Sequence, residues 1–181
     1  TRPEDAVSLG DEVQVRIKVL VSGLSQADIT IRHGMYPESA PLPFTLGYDL
    51  VGVIDQLGDG VTNWRVGDRV AAITVRGANT RYLHWPATDL TAVPEGLSDD
   101  VAVSLILNGV TAYQVLHRHA SLKKGQRLLV QSAAGGVGSL MCELAAHAGA
   151  QVIGTASPRK HDLVRALGAT PIDYRRPDRV G

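Results

Sequence analysis

Between residues 13 and 21 the chain alternates: Val13, Val15, Ile17, Val19 and Val21 are spaced by Gln14, Arg16 and Lys18. A period of two belongs to a strand with one buried face. Leu50–Leu57 and Arg69–Val75 carry the same signature, with Gly58-Asp59-Gly60 and Gly67-Asp68 as turns. Arg81–Trp85 and Leu90–Val93 complete a series of short strands spaced closely enough for a small β-barrel. A single helix interrupts them, with Ser25 placed to cap Gln26–His33 and Gly34 to end it.

Near residue 100 the texture changes to alternating helices and strands. Val101–His119 is long and largely apolar on one side, with Ser98 and Asp99 near its start. Arg127–Ser132 reads as a buried strand, Val137–Ala148 as a helix and Gln151–Ala156 as a strand. Pro158–Leu167 reads as a helix with proline in its first turn, and Thr170–Tyr174 as a strand. This β-α-β-α-β order is the unit of a parallel, doubly wound sheet. The pattern therefore predicts a β-domain over 1–100 and the first half of a Rossmann domain over 101–181.

Composition narrows the function classes. The 181 residues are 44% hydrophobic and 20% charged, as expected of a soluble, core-forming chain. Eighteen Lys plus Arg balance eighteen Asp plus Glu, which gives no electrostatic footprint for nucleic acid or an anionic membrane. The one cysteine, Cys142, excludes an internal disulfide and any zinc site built from several thiolates. It lies on an apolar helix and reads as a small core residue. No apolar run approaches the roughly 18 residues of a membrane span, and the start has no signal-peptide pattern. A cytoplasmic location is the expectation.

The most informative residues are Ala133-Ala134-Gly135-Gly136-Val137-Gly138. A dinucleotide fold needs a sharp turn after its first strand, a backbone close to the pyrophosphate and a helix close to the strand. Side chains obstruct these approaches, so glycine is favoured, and the free N–H groups of the helix start meet the phosphate charge. Here Ala133 stands at the first glycine position. NAD-preferring sites carry an acidic residue at the end of the second strand, about 20 residues on. This strand ends in Thr155-Ala156-Ser157, followed by Arg159 and Lys160, and the first acid is Asp162. Ser157 with two cations suits the 2′-phosphate of NADP(H).

Several ordered motifs accompany the glycine turn: Gly23-Leu24-Ser25-Gln26-Ala27-Asp28, Ile31-Arg32-His33-Gly34-Met35-Tyr36-Pro37, and Leu46-Gly47-Tyr48-Asp49-Leu50-Val51-Gly52. Val66-Gly67-Asp68-Arg69-Val70 and Asn108-Gly109-Val110-Thr111-Ala112-Tyr113 follow. Over nearly its whole length the sequence resembles the medium-chain dehydrogenase/reductase superfamily, in its zinc-free quinone oxidoreductase and enoyl reductase branch. The resemblance implies a GroES-like barrel joined to a dinucleotide-binding domain. It also implies that the chain starts at a strand inside the first domain and stops halfway through the second. An exposed edge at Arg127–Ser132 is then expected, because the missing half would pair there.

Zinc-dependent relatives carry a cysteine near Ser25 and Gly-His-Glu in place of Gly47-Tyr48-Asp49, and neither serine nor tyrosine is an ordinary zinc ligand. His117 and His119, two apart on a helix, point to different faces. With no Lewis acid for simple alcohol oxidation, the expected reaction is hydride transfer from NADPH to a quinone or an α,β-unsaturated carbonyl. Enoyl reductase similarity marks Tyr36 as a proton donor, because a phenol stays protonated at neutral pH. The alternative for Tyr36 is an aromatic that shields the cleft.

Quinone reductases place asparagine at the position of Ser25, a candidate nicotinamide contact. Asp49 is expected to accept structural hydrogen bonds, and Tyr174 to stack beside the adenosine 2′-phosphate. Lys160 is the phosphate partner implied by the resemblance, with Arg159 its rival. The resemblance leaves two other readings open: a non-catalytic NADPH-binding or scaffolding protein, and an inactive fragment of the enzyme. Relatives of this kind often dimerise, so the intact protein is expected to be a homo-oligomer.

Overall fold

The computed structural model describes residues 13–35 and 43–175. They divide into two compact units, Thr1–Leu107 and Asn108–Gly181.

The first unit is built on one antiparallel sheet. Strands β1 (Gln14–Ser22), β2 (Asp49–Leu57), β3 (Arg69–Ile73), β4 (Tyr82–Pro86) and β5 (Thr91–Ala92) lie in the order β4-β1-β2-β3-β5. The alternation read from the sequence sets the faces: Val15 and Ile17 of β1 are fully buried, whereas Lys18 is exposed. They meet Leu50, Ile54 and Val70 in one apolar cluster, and burial of this kind is the main favourable contribution to folding. The only α-helix before β2 among the described residues is α1 (Gln26–Arg32).

Helix α2 (Asp99–Tyr113) begins with Asp99 and Asp100, charges that suit the positive end of a helix. Arg69 fastens that start, donating from Nε to Asp99 Oδ1 at 2.7 Å and from its terminal nitrogens to the carbonyls of Leu97 and Pro94. The expected helix through His119 changes character at Gln114: the last six residues, Gln114–His119, form a wider π-helical turn. Ala120 accordingly donates to the carbonyl of Val115, five residues back, at 2.9 Å. His117 stacks against Tyr113, with ring centroids 4.5 Å apart.

The second unit carries a parallel sheet of β6 (Arg127–Val130), β7 (Gln151–Ala156) and β8 (Ala169–Asp173), in that order. Helices α3 (Gly136–His147) and α4 (His161–Ala166) supply the crossovers. Leu116, Val130, Cys142, Val152 and Val164 belong to its core. Burial pushes the Cys142 thiol pKa up, which keeps it an unreactive core group. β6 is the outer strand of this sheet, and its Leu129 is 57% exposed.

The single helix expected over Pro158–Leu167 is in two pieces. Pro158–Lys160 forms a tight 3₁₀ turn and α4 starts at His161. Lys160 sits at the junction with φ −107° and ψ 2°, outside helical values.

Candidate functional site

The loop from β6 to α3 turns on Ser132. Its φ of +53° is left-handed, which costs a residue with a Cβ. Three hydrogen bonds hold it there. The Ser132 N–H donates to Thr155 Oγ1 at 3.1 Å, the Ala133 N–H donates to the Thr155 carbonyl at 2.9 Å, and the Gly135 N–H returns to the Ser132 carbonyl at 2.8 Å. Helix α3 then starts with Gly135 as N-cap and no side chain capping it. Its leading N–H groups are left to solvent or a ligand, and the helix dipole adds positive character there.

Gly138 brings helix and loop together: a Cβ on it would lie 2.2 Å from the Ser132 oxygen and 2.9 Å from its carbonyl carbon. Both are backbone atoms, so the approach requires glycine. Ala133, at the first glycine position, is fully buried, and its methyl group faces Gly154 of β7. A Cβ at Gly154 would lie 2.6 Å from that methyl and 2.9 Å from Val164 Cγ1.

A cleft of about 570 Å³ opens over this loop, within the 300–1,000 Å³ usual for small-molecule sites. Gln131, Ser132, Ala134 and Gly135 line one end; Thr155, Ala156, Ser157, Lys160 and Tyr174 line the rest. Lys160 is the cation among these residues, and no carboxylate stands with it. Tyr174 is 62% exposed, and the Arg175 guanidinium lies 5.5 Å from its ring centroid.

In the first unit two buried carboxylates organise the backbone. Asp28 accepts from the Ser25 N–H at 2.8 Å, the Ser25 hydroxyl at 2.7 Å and the Gly47 N–H at 3.0 Å. Asp49 accepts from the Gly23 and Leu107 N–H groups, each at 3.1 Å. Burial raises the Asp49 pKa above the ordinary carboxylate value; the two hydrogen bonds oppose that shift, and nearby Asp28 adds to it. Among the described residues, no three His, Cys, Asp or Glu side chains converge to hold a metal ion.

The family of the alcohol dehydrogenase GroES-like domain matches residues 11–95. Over 92% of its length the chain superposes on quinone oxidoreductase of Pseudomonas syringae pv. Tomato DC3000, with a TM-score of 0.86 and 39% identity, covering 52% of that chain. Quinone oxidoreductase of Escherichia coli complexed with NADPH gives a TM-score of 0.86 at 31% identity, with 92% of this chain and 52% of that one covered. The chain belongs to the medium-chain dehydrogenase/reductase superfamily, in its quinone oxidoreductase-like branch. The synaptic vesicle membrane protein VAT-1 homolog of Rattus norvegicus is 37% identical over 169 residues, 92% of this chain and 42% of that protein. The chain thus spans about half the length of these relatives.

Within this dehydrogenase/reductase framework, Gly135, Ser157, Lys160 and Tyr174 line the cleft together. Ala133 and Gly138 are buried and do not line it. Gly136 and Val137 form the first turn of α3, where a Cβ on Gly136 would lie 2.9 Å from Asn108 Nδ2. Arg159 is exposed and is not among the lining residues, whereas its rival Lys160 is. Ser25 caps α1, its hydroxyl donating to Asp28 Oδ2 and accepting from the Asp28 N–H at 3.2 Å, which leaves one acceptor site for any further contact. Tyr36 lies outside the described residues. Thr155, Gln131 and Asp28 take part in these arrangements and are not among the site residues expected from the motifs. For Asp28 the capping spacing Ser25-x-x-Asp28 signals only the local bond; its bond to Gly47, like that of Thr155 to Ser132, has no signal in residue spacing.

Proposed function

We propose that this chain is the NADPH-binding part of an oxidoreductase that reduces quinones or α,β-unsaturated carbonyl compounds. The observation that carries this reading is the cleft in which an uncapped helix start, Ser157, Lys160 and Tyr174 come together with no carboxylate. The residues fit the cofactor on structural grounds: the loop is cleared of side chains where Gly138 meets Ser132, and the charge at the far end is positive. The N–H groups of Gly136, Val137 and Gly138 would receive the pyrophosphate. Lys160 and the Ser157 hydroxyl would hold the 2′-phosphate, with Tyr174 beside it. Among the described residues, no acidic side chain, which would repel that phosphate and suit the free ribose of NADH, lines the cleft.

NADPH, when bound, supplies the hydride. Tyr36 is proposed as the holder of the proton that the reduced acceptor needs, since a phenol is protonated at neutral pH. Ser25 is proposed to lie on the nicotinamide side, its orientation fixed by Asp28. The complex with NADPH in the Escherichia coli relative supports the choice of cofactor.

The test is to follow NADPH absorbance with the protein over a panel of quinones and enones. Acceptor-dependent oxidation that falls in Tyr36→Phe is expected. NADPH binding without turnover on any acceptor would favour a non-catalytic binding role, and the absence of NADPH binding would overturn the proposal.

A further inference from the structure

We infer that Thr155 is a positioning residue for the phosphate loop, acting through the backbone of Ser132 and Ala133 to set the cofactor cleft. The inference rests on the NADPH reading above. Thr155 gives the loop two acceptors from one residue. Its side-chain Oγ1 takes the Ser132 N–H at 3.1 Å, and its carbonyl takes the Ala133 N–H at 2.9 Å. The second bond survives any substitution, since it is made by backbone; the first depends on the hydroxyl.

Ser132 is the residue that needs holding. Its φ of +53° is one that residues with a Cβ rarely adopt, and such a conformation persists only where its surroundings impose it. The Ser132 carbonyl is at the same time the atom under Gly138 and the acceptor for the Gly135 N–H. A rotation of Ser132 would therefore move the carbonyl that spaces α3 from the loop and the turn that presents the helix start. Ser132 and Thr155 both line the cleft, and the hydrogen bond joins its two walls across 23 residues of sequence. Thr155 thus links the strand that leads to Ser157 and Lys160 with the loop that would hold the pyrophosphate, so that the two phosphate-binding ends keep their separation.

The predicted signature is a defect in binding that tracks the hydroxyl and leaves the fold intact. In Thr155→Val, which keeps the shape and removes the acceptor, NADPH should bind roughly threefold to tenfold more weakly, the range that one net hydrogen bond allows. In Thr155→Ser, which keeps the acceptor and drops the methyl, the NADPH dissociation constant should return to within about twofold of wild type. Amide hydrogen exchange without ligand supplies a second readout: the Ser132 amide should exchange faster in Thr155→Val and recover in Thr155→Ser. Wild-type binding of NADPH together with unchanged binding in Thr155→Val would overturn this inference and leave the NADPH reading standing. So would a Thr155→Ser variant as weak as Thr155→Val. A wild-type chain that does not bind NADPH would overturn the function proposal and the binding role of Thr155 with it, whatever the exchange rates show.

Discussion

In the first unit, segments far apart in sequence are held by buried carboxylates: Asp28 reaches the Gly47 N–H, and Asp49 reaches those of Gly23 and of Leu107 in α2. In the second unit, the loop at 131–135 is held by backbone and one hydroxyl, and the missing side chain of Gly138 lets helix and loop close. The first arrangement accepts the cost of burying charge in exchange for several hydrogen bonds per side chain. The second avoids that cost by removing atoms. The first should therefore fail when a group is taken away, and the second when one is added.

The largest effect is expected from the smallest addition. Gly138→Ala puts a methyl into the Ser132 carbonyl, where only backbone could give way, and should cost about 3 kcal/mol of stability, at the upper end for overpacking. Chemical denaturation measures it; a variant as stable as wild type would mean that the loop can move aside. Next comes Asp28→Ala, which strands the Ser25 and Gly47 N–H groups and should cost about 2 kcal/mol. A thermal melt within a degree or so of wild type would show that water replaces the carboxylate.

A smaller change is expected in binding. Lys160→Ala should weaken NADPH roughly tenfold and leave NADH nearly unchanged, while Arg159→Ala should alter neither. Equal losses for the two cofactors, measured by calorimetric titration, would remove Lys160 from the 2′-phosphate site.

The smallest effect is a slope with pH. Because burial raises the Asp49 pKa in the folded state, the folded chain holds that proton at pH values where the unfolded chain has released it. The contribution of Asp49 therefore makes stability fall as pH rises from the ordinary carboxylate range through the folded value. Asp49→Asn should remove that component, so the stability difference between variant and wild type should shift in favour of the variant over this window. Parallel stability curves for the two proteins would show that Asp49 keeps its ordinary pKa.

The same contrast explains what could be read from the sequence. Elements that announce themselves locally, such as the alternation of β1 and the apolar helix behind the glycines, lie within a residue or two of where the pattern puts them. Gly135, Ser157, Lys160 and Tyr174 line one cleft; the first three stand out in the glycine turn and the strand end, whereas Tyr174 stands out only through the family resemblance. The break at Lys160 was hidden, since proline in a first turn is compatible with a continuous helix. Thr155 and Asp28 were hidden for another reason. Their partners lie 23 and 19 residues away, and only the folded register brings Ser132 to one and Gly47 to the other. The π-helical turn after Tyr113 has no signal in residue type that distinguishes it from ordinary helix.

One detail of the glycine loop reaches beyond this chain. Ala133 and Gly154 share the room for a single methyl group: the side chain that a strict glycine pattern forbids at 133 is accommodated because it is absent at 154. What is fixed at this corner of the chain is a volume held jointly by two positions. A pattern that scores each position separately counts Ala133 as a mismatch. One that scores the pair would recognise it as the same lock with its tooth on the other side.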